Sequence, residues 1–154
     1  MKNLLMVCMG NVCRSPMAQT VAQKLAADAG LSQQLKFASA GTHASRLGER
    51  PDPRVELALS RNGYTLGHIR SRRIVQHDFQ HFDLILAMDA SNLAELRRLC
   101  PPGQLSKLRL FLEFTEGLNE TEVPDPYYGN AAGFERVLEL CEAGASGLIK
   151  HYTL

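Results

Sequence analysis

Tryptophan is absent from this sequence and aromatic residues are sparse, while neither sign of charge predominates: 17 Lys and Arg stand against 16 Asp and Glu. A near-neutral chain gives no bulk electrostatic reason to expect a nucleic-acid or anionic-membrane partner, so any anion binding must be local. Long hydrophobic runs are missing too. The apolar stretch ahead of Cys8, Leu4-Leu5-Met6-Val7, is far shorter than a signal-peptide core or a membrane span, and a cytoplasmic location is expected. Cysteine is scarce: Cys8, Cys13, Cys100 and Cys141 are expected to be thiols in a reducing compartment rather than structural disulfides. What is present is 45% hydrophobic and 21% charged residues over 154 positions, the balance of one well-cored globular domain, expected to span 1–154.

Along the chain, apolar runs suited to buried strands alternate with helical patterns. Leu4–Val7 reads as a strand buried on both faces of a parallel sheet. After it, Met17, Val21, Ala22 and Leu25 recur at helical spacing, with Pro16 in the first turn and Gly30 at the end. Further strands are expected at Leu35–Ala40, Leu84–Ala87 and Leu108–Phe111. Further helices are expected at Pro53–Arg61, closed by Asn62-Gly63, and at Asp89–Leu99, stopped by Pro101-Pro102-Gly103. A polar stretch from Glu113 to Gly129 precedes a long closing helix whose inward stripe runs from Phe134 to Ile149. The pattern predicts an α/β domain: a four-stranded parallel sheet with helices on both faces. Ligands in such folds sit beyond the carboxyl ends of the strands, where the loop after Val7 lies.

That loop carries the chemistry: Cys8-Met9-Gly10-Asn11-Val12-Cys13-Arg14-Ser15-Pro16. Squeezed between a strand and a helix N-terminus, it aims backbone N–H groups at one point in the field of the helix dipole, which suits an oxyanion. Gly10 permits a tight turn and Asn11 tolerates left-handed angles. A Cys8 thiolate would be favoured by the same donors and by Arg14, making it a nucleophile at neutral pH. The planar fork of Arg14 can hold two phosphate oxygens, which a Lys could not copy. Ser15 can donate to the sulfur. Taken alone, a cysteine after a strand is most often a core residue, and Cys8 with Cys13 could be half of a zinc site. No second Cys or His pair stands at ligand spacing, so a metal is not expected; no cofactor is called for elsewhere in the sequence.

The stretch from Cys8 to Pro16 resembles the signature of the low-molecular-weight protein tyrosine phosphatases, Cys-x-Gly-Asn-x-Cys-Arg-Ser-Pro. Ser39-Ala40-Gly41-Thr42, Met88-Asp89-x-Ser91-Asn92-Leu93 and Asp125-Pro126-Tyr127-Tyr128-Gly129 resemble family segments in the same order, so the resemblance spans nearly the whole chain. It implies a metal-free two-step reaction. Cys8 attacks phosphorus, forming a cysteinyl phosphate while Asp125 protonates the departing phenol; Asp125 then activates the water that hydrolyses the intermediate. Met9 to Ser15 would bind the phosphate and Arg14 would clamp it. Asn11, Ser15 and Ser39 match residues that hold the loop in shape, and Tyr127 and Tyr128 would flank the substrate ring. Cys13 would be the partner in a reversible bridge protecting Cys8. The implied partners are tyrosine-phosphorylated proteins, an autophosphorylating tyrosine kinase among them, and the family mostly works as monomers.

Two departures stand out. His68 lies one residue earlier than the family's usual histidine before its basic motif, and Ser45 stands where an aromatic often forms the rim, so a more open rim with looser selectivity is expected. Rival readings remain. Arginine phosphatases share the loop but carry Thr where this chain has Val12. Arsenate reductases need two further cysteines near the third helix, where only Cys100 lies. A phosphate-binding or redox-sensing module without turnover would not need Asp125. The basic run Arg70, Arg72 and Arg73 reads as a solvated face or a docking surface for acidic substrates.

Overall fold

The computed structural model describes residues 1–153; the final residue of the expected 1–154 domain lies outside the described residues. Four strands, β1 (Lys2–Cys8), β2 (Leu35–Gly41), β3 (Leu84–Ala87) and β4 (Leu108–Leu110), form one sheet in the order β2-β1-β3-β4. All three pairings are parallel. Alternation along the strands decides which face each side chain serves. Leu4 and Met6 of β1 with Leu84 and Leu86 of β3 pack on one side against α1 (Arg14–Asp28), α2 (Pro53–Arg61) and α5 (Ala131–Thr153). Leu5, Val7, Ile85 and Ala87 face the other side, toward Phe79 of α3 (Gln76–His81) and Leu93 and Leu96 of α4 (Ala90–Leu99). Burial on both faces is why β1 and β3 read as unbroken apolar runs.

The short helix α3 is absent from the sequence expectations, because Phe79 is its one buried apolar residue and six residues show no period. Its start is fixed by Asp78, whose carboxylate accepts the Val75 N–H at 2.8 Å and the guanidinium fork of Arg72 at 3.0 Å. The last strand ends one residue sooner than expected. Phe111 leaves it for a 3-10 turn, Phe111–Phe114, because its ring buries against α5, where a Cβ on Gly144 would come within 2.5 Å of it. The same turn meets α5 again at Gly147, where a Cβ would fall 1.9 Å from the Phe114 carbonyl oxygen.

From β1 the chain steps one way to β2 and the other way to β3, so the crossovers part at the carboxyl end of β1. This is the crevice where open parallel sheets bind ligands. Residues 9–13 fill it. Among the described residues no helix is long and apolar enough to cross a membrane, and no group of three or more His, Cys, Asp or Glu side chains comes together as a metal cage.

Candidate active site

Cys8 ends the central strand and is 3% exposed. The loop beyond it is held by backbone bonds from the second layer of chain: Thr42 N–H to Cys8 O at 3.0 Å, His43 N–H to Met9 O at 2.9 Å and Asp52 N–H to Val12 O at 2.9 Å. Ser71 Oγ adds a bond to Gly10 O at 3.1 Å. Gly41 backs the loop so closely that a Cβ there would lie 2.6 Å from Met9 O and 3.1 Å from Asn11 N. The left-handed turn falls on Asn11, at φ 55, rather than on Gly10.

Asn11 is fully buried, and its orientation can be deduced. Its Oδ1 accepts from the Arg72 backbone N–H at 3.0 Å, a group that can only donate, so Nδ2 must face Ser15, donating to Oγ at 2.8 Å. Having accepted that bond, Ser15 has its own proton free for Cys8 Sγ at 3.0 Å. The Asn11 backbone N–H points at the same sulfur from 3.3 Å. Two donors thus converge on a buried sulfur, an arrangement that stabilises negative charge there.

Arg14, the first residue of α1, is 3% exposed. Its Nη1 donates to Asp89 Oδ2 at 2.6 Å and to Val123 O at 3.0 Å, which leaves Nη2 and Nε as donors for an oxyanion. Burial works against its charge, but the Cys8 sulfur, Asp89 and Asp125 together carry the guanidinium above its ordinary range. Asp89 also caps α4, accepting the Asn92 N–H at 2.7 Å. Asp89 and Val123 were not anticipated as supports of Arg14; the sequence signals for Asp89 are its place ahead of a helix after β3 and its membership of the family-like segment Met88-Asp89-x-Ser91-Asn92-Leu93.

Asp125 lies across the opening, its Oδ2 3.6 Å from Arg14 Nη2 and its side chain 40% exposed. It comes from the irregular segment before α5 and accepts the Tyr127 N–H at 3.1 Å. A cleft of about 240 Å³ is lined by the loop residues Cys8, Met9, Gly10, Val12, Cys13 and Arg14 together with His43, Ser45, Arg46, Asp125, Tyr127 and Tyr128. Tyr128 is almost wholly exposed and meets Tyr127 edge-on, with ring centres 5.0 Å apart. Arg46, another residue the sequence does not single out, donates to Tyr127 Oη at 2.6 Å. Cys13 is a largely buried part of the cleft wall, where burial, then the charges of Asp52, Cys8 and Asp125, push its thiol up to about 12.

One expected member of the supporting network lies elsewhere. Ser39 is buried on β2, but its Oγ donates to Gln19 Oε1 of α1 at 2.6 Å, because a serine opposite Met6 on the strand meets α1 rather than the loop. His68 is exposed, and Ser71 with the Arg72 amide makes the contacts to Gly10 and Asn11. Asn11 and Ser15 sit behind the cleft, bonded to each other as described. Cys100 and Cys141 are buried away from it and stand as free thiols.

The family model for low molecular weight phosphotyrosine protein phosphatases matches residues 3–153. A low molecular weight protein-tyrosine-phosphatase of Streptomyces coelicolor is 43% identical over 146 residues, 93% of this chain and 88% of that protein. A low molecular weight phosphotyrosine protein phosphatase of Homo sapiens is 38% identical over 141 residues, 91% of this chain and 89% of that protein. Among solved structures, a protein tyrosine phosphatase from Entamoeba histolytica with Hepes in its active site superposes with a TM-score of 0.94 at 38% identity, covering 100% of both chains. Fold and likeness together place the chain among the phosphoric monoester hydrolases. More narrowly, it belongs to the low molecular weight phosphotyrosine protein phosphatase family.

Proposed function

We propose that this chain hydrolyses phosphotyrosine on proteins through a cysteinyl phosphate on Cys8, with Arg14 as the phosphate clamp and Asp125 as general acid and base. The observation that carries the reading is the convergence, in one cleft, of a sulfur with two donors, a guanidinium with two free donor positions and a carboxylate. In the first step the Cys8 sulfur forms a bond to phosphorus as the bond from phosphorus to the phenol oxygen breaks, and the Asp125 proton passes to that oxygen. In the second, water attacks phosphorus, its proton returns to Asp125, and the sulfur leaves as thiolate while inorganic phosphate forms. Arg14 and the amides of residues 9–15 stabilise the charge on the equatorial oxygens in both steps, and Ser15 stabilises the sulfur as it departs.

The same reading gives Asn11 and Ser15 the task of holding the loop, and Tyr127 and Tyr128 that of flanking the phenyl ring. Peroxide would convert Cys8 to a sulfenic acid, Cys13 would displace water to form a disulfide, and a dithiol would restore both thiols. The substrates would be tyrosine-phosphorylated proteins in the cytoplasm, an autophosphorylating kinase among them, with the enzyme acting as a monomer and without a metal or cofactor. The test is the initial rate of phosphate release from matched phosphotyrosyl, phosphoarginyl and phosphoseryl peptides, comparing wild type with Cys8→Ser. Tyrosine-selective release that the substitution abolishes is expected; preference for phosphoarginine, or release that survives the substitution, would overturn the reading.

A further inference from the structure

Residues 115–130 run to α5 with no helix or strand, yet they carry Asp125, whose carboxyl must meet a leaving oxygen within hydrogen-bond reach to act as an acid. The segment is tethered two residues to either side. Upstream, Val123 is fully buried, donates its N–H to Met88 O at 2.8 Å and presents its carbonyl to Arg14. Downstream the tether is Tyr127, and a cation holds it: the Arg54 guanidinium lies over the Tyr127 ring at 5.5 Å and over the ring of buried Phe134 at 4.7 Å.

Arg54 is itself fixed. Asp52, the cap of α2, accepts its Nε at 3.0 Å and Nη2 at 2.8 Å as a fork, and its backbone N–H at 2.9 Å. These bonds hold the Asp52 carboxyl below its ordinary value. The Asp52 N–H in turn bonds to Val12 O in the phosphate loop. Arg46 also reaches Tyr127 but stands on an exposed loop, and among the described residues no carboxylate pairs with it. One hydrogen-bonded Asp52–Arg54 pair, its arginine side chain 42% exposed, therefore touches both halves of the site, the loop that holds the nucleophile and the segment that holds the acid.

We infer that Arg54 is a positioning residue for Asp125: held by Asp52 and stacked on Tyr127, it fixes the acid-bearing segment in register with the phosphate loop. This rests on the acid role given to Asp125 above. A flat guanidinium locked in a fork can serve as such a platform, whereas an ammonium on a free stem cannot.

The readout is kcat/KM, which covers phosphorylation of Cys8 and loss of the phenol, measured with phenyl phosphate and with 2,4-dinitrophenyl phosphate. Phenolate is a poor leaving group and needs the proton; dinitrophenolate departs without it. Arg54→Met should lower kcat/KM about tenfold on phenyl phosphate and less than about twofold on the dinitrophenyl ester. Arg54→Lys should fall between, and it carries the test if the Met variant fails to fold. In an Asp125→Asn background Arg54→Met should cause no further loss on phenyl phosphate, since the group it positions is gone. Equal losses on both esters, or a full additional loss in the Asp125→Asn background, would overturn the inference while leaving Asp125 as the acid. Were Asp125→Asn alone indifferent to the leaving group, the acid assignment would fail first and the inference with it.

Discussion

Replacing Gly41 by Ala adds one methyl group directly behind the loop of residues 9–13. The backbone there is not left-handed, so alanine meets no conformational objection and the effect is steric. The new Cβ would stand 2.6 Å from Met9 O, 3.0 Å from Ala44 Cβ and 3.1 Å from Asn11 N. Ordinary contact requires movement of about 0.8 Å away from the Met9 oxygen. Gly41 cannot supply that movement, because its N–H is bonded to Arg72 O, its carbonyl accepts the Ile74 N–H, and it pairs with Cys8 across the sheet. The loop must yield instead, shifting Asn11 and hence the Ser15 hydroxyl that faces the sulfur. Overpacking of this kind costs roughly 1–3 kcal/mol of stability, and an ångström of misplacement at a reacting group can cost about 100-fold in rate. The assay is kcat/KM on a phosphotyrosyl peptide, corrected for the folded fraction from urea denaturation. Gly147→Ala, whose Cβ would strike Phe114 O at 1.9 Å far from the cleft, is the companion variant. It should lose stability and keep its activity per folded molecule. A Gly41→Ala enzyme with wild-type activity would refute the reasoning, as would equal losses of specific activity in both variants.

Asp125→Asn should lower kcat/KM for a phosphotyrosyl peptide about 10²–10³-fold; a loss below about tenfold in steady-state assays would contradict it. Arg14→Lys keeps a charge opposite Asp89 but loses the fork, and should reduce kcat at least about 100-fold with little change in urea midpoint; near-normal turnover would count against the clamp. Stability should fall in alkali, because burial raises the Cys13 thiol from its ordinary 9.0 to about 12. Below the lower value both folded and unfolded chains keep the proton and the contribution is complete. Between the two values only the folded chain keeps it, so stability drops as pH rises, by up to about 1.4 kcal/mol per pH unit. Urea midpoints from about pH 8 to 11 should slope less steeply in Cys13→Ala; parallel slopes would show that another group is responsible.

Strands β1 and β3 were legible because burial on both faces leaves an unbroken apolar run, and α5 because its stripe repeats over many turns. Helix α3 was not, since one phenylalanine and a capping aspartate carry it. Within the site, the contiguous loop from Cys8 to Ser15 could be read because its members are neighbours in sequence. The groups that orient it come from residues 41–43, 71–72, 89 and 123, and several act through backbone N–H or carbonyl groups that any residue type would supply. Such contacts leave no mark on composition or spacing. Ser39, placed in the loop network by the family resemblance, is turned by strand alternation toward Gln19.

The central strand β1 pairs on both sides, and Leu4 to Val7 are wholly shielded. Its amide protons should trade for deuterium only when the entire molecule opens, whereas those of residues 115–130, outside any sheet or helix ladder, should trade through small local openings. Cys8 and Asp125, the proposed nucleophile and proton donor, are thus mounted on parts of unequal durability. Gentle warming or dilute denaturant should loosen the donor first, giving an enzyme that has become fastidious about leaving groups while its sheet is still intact.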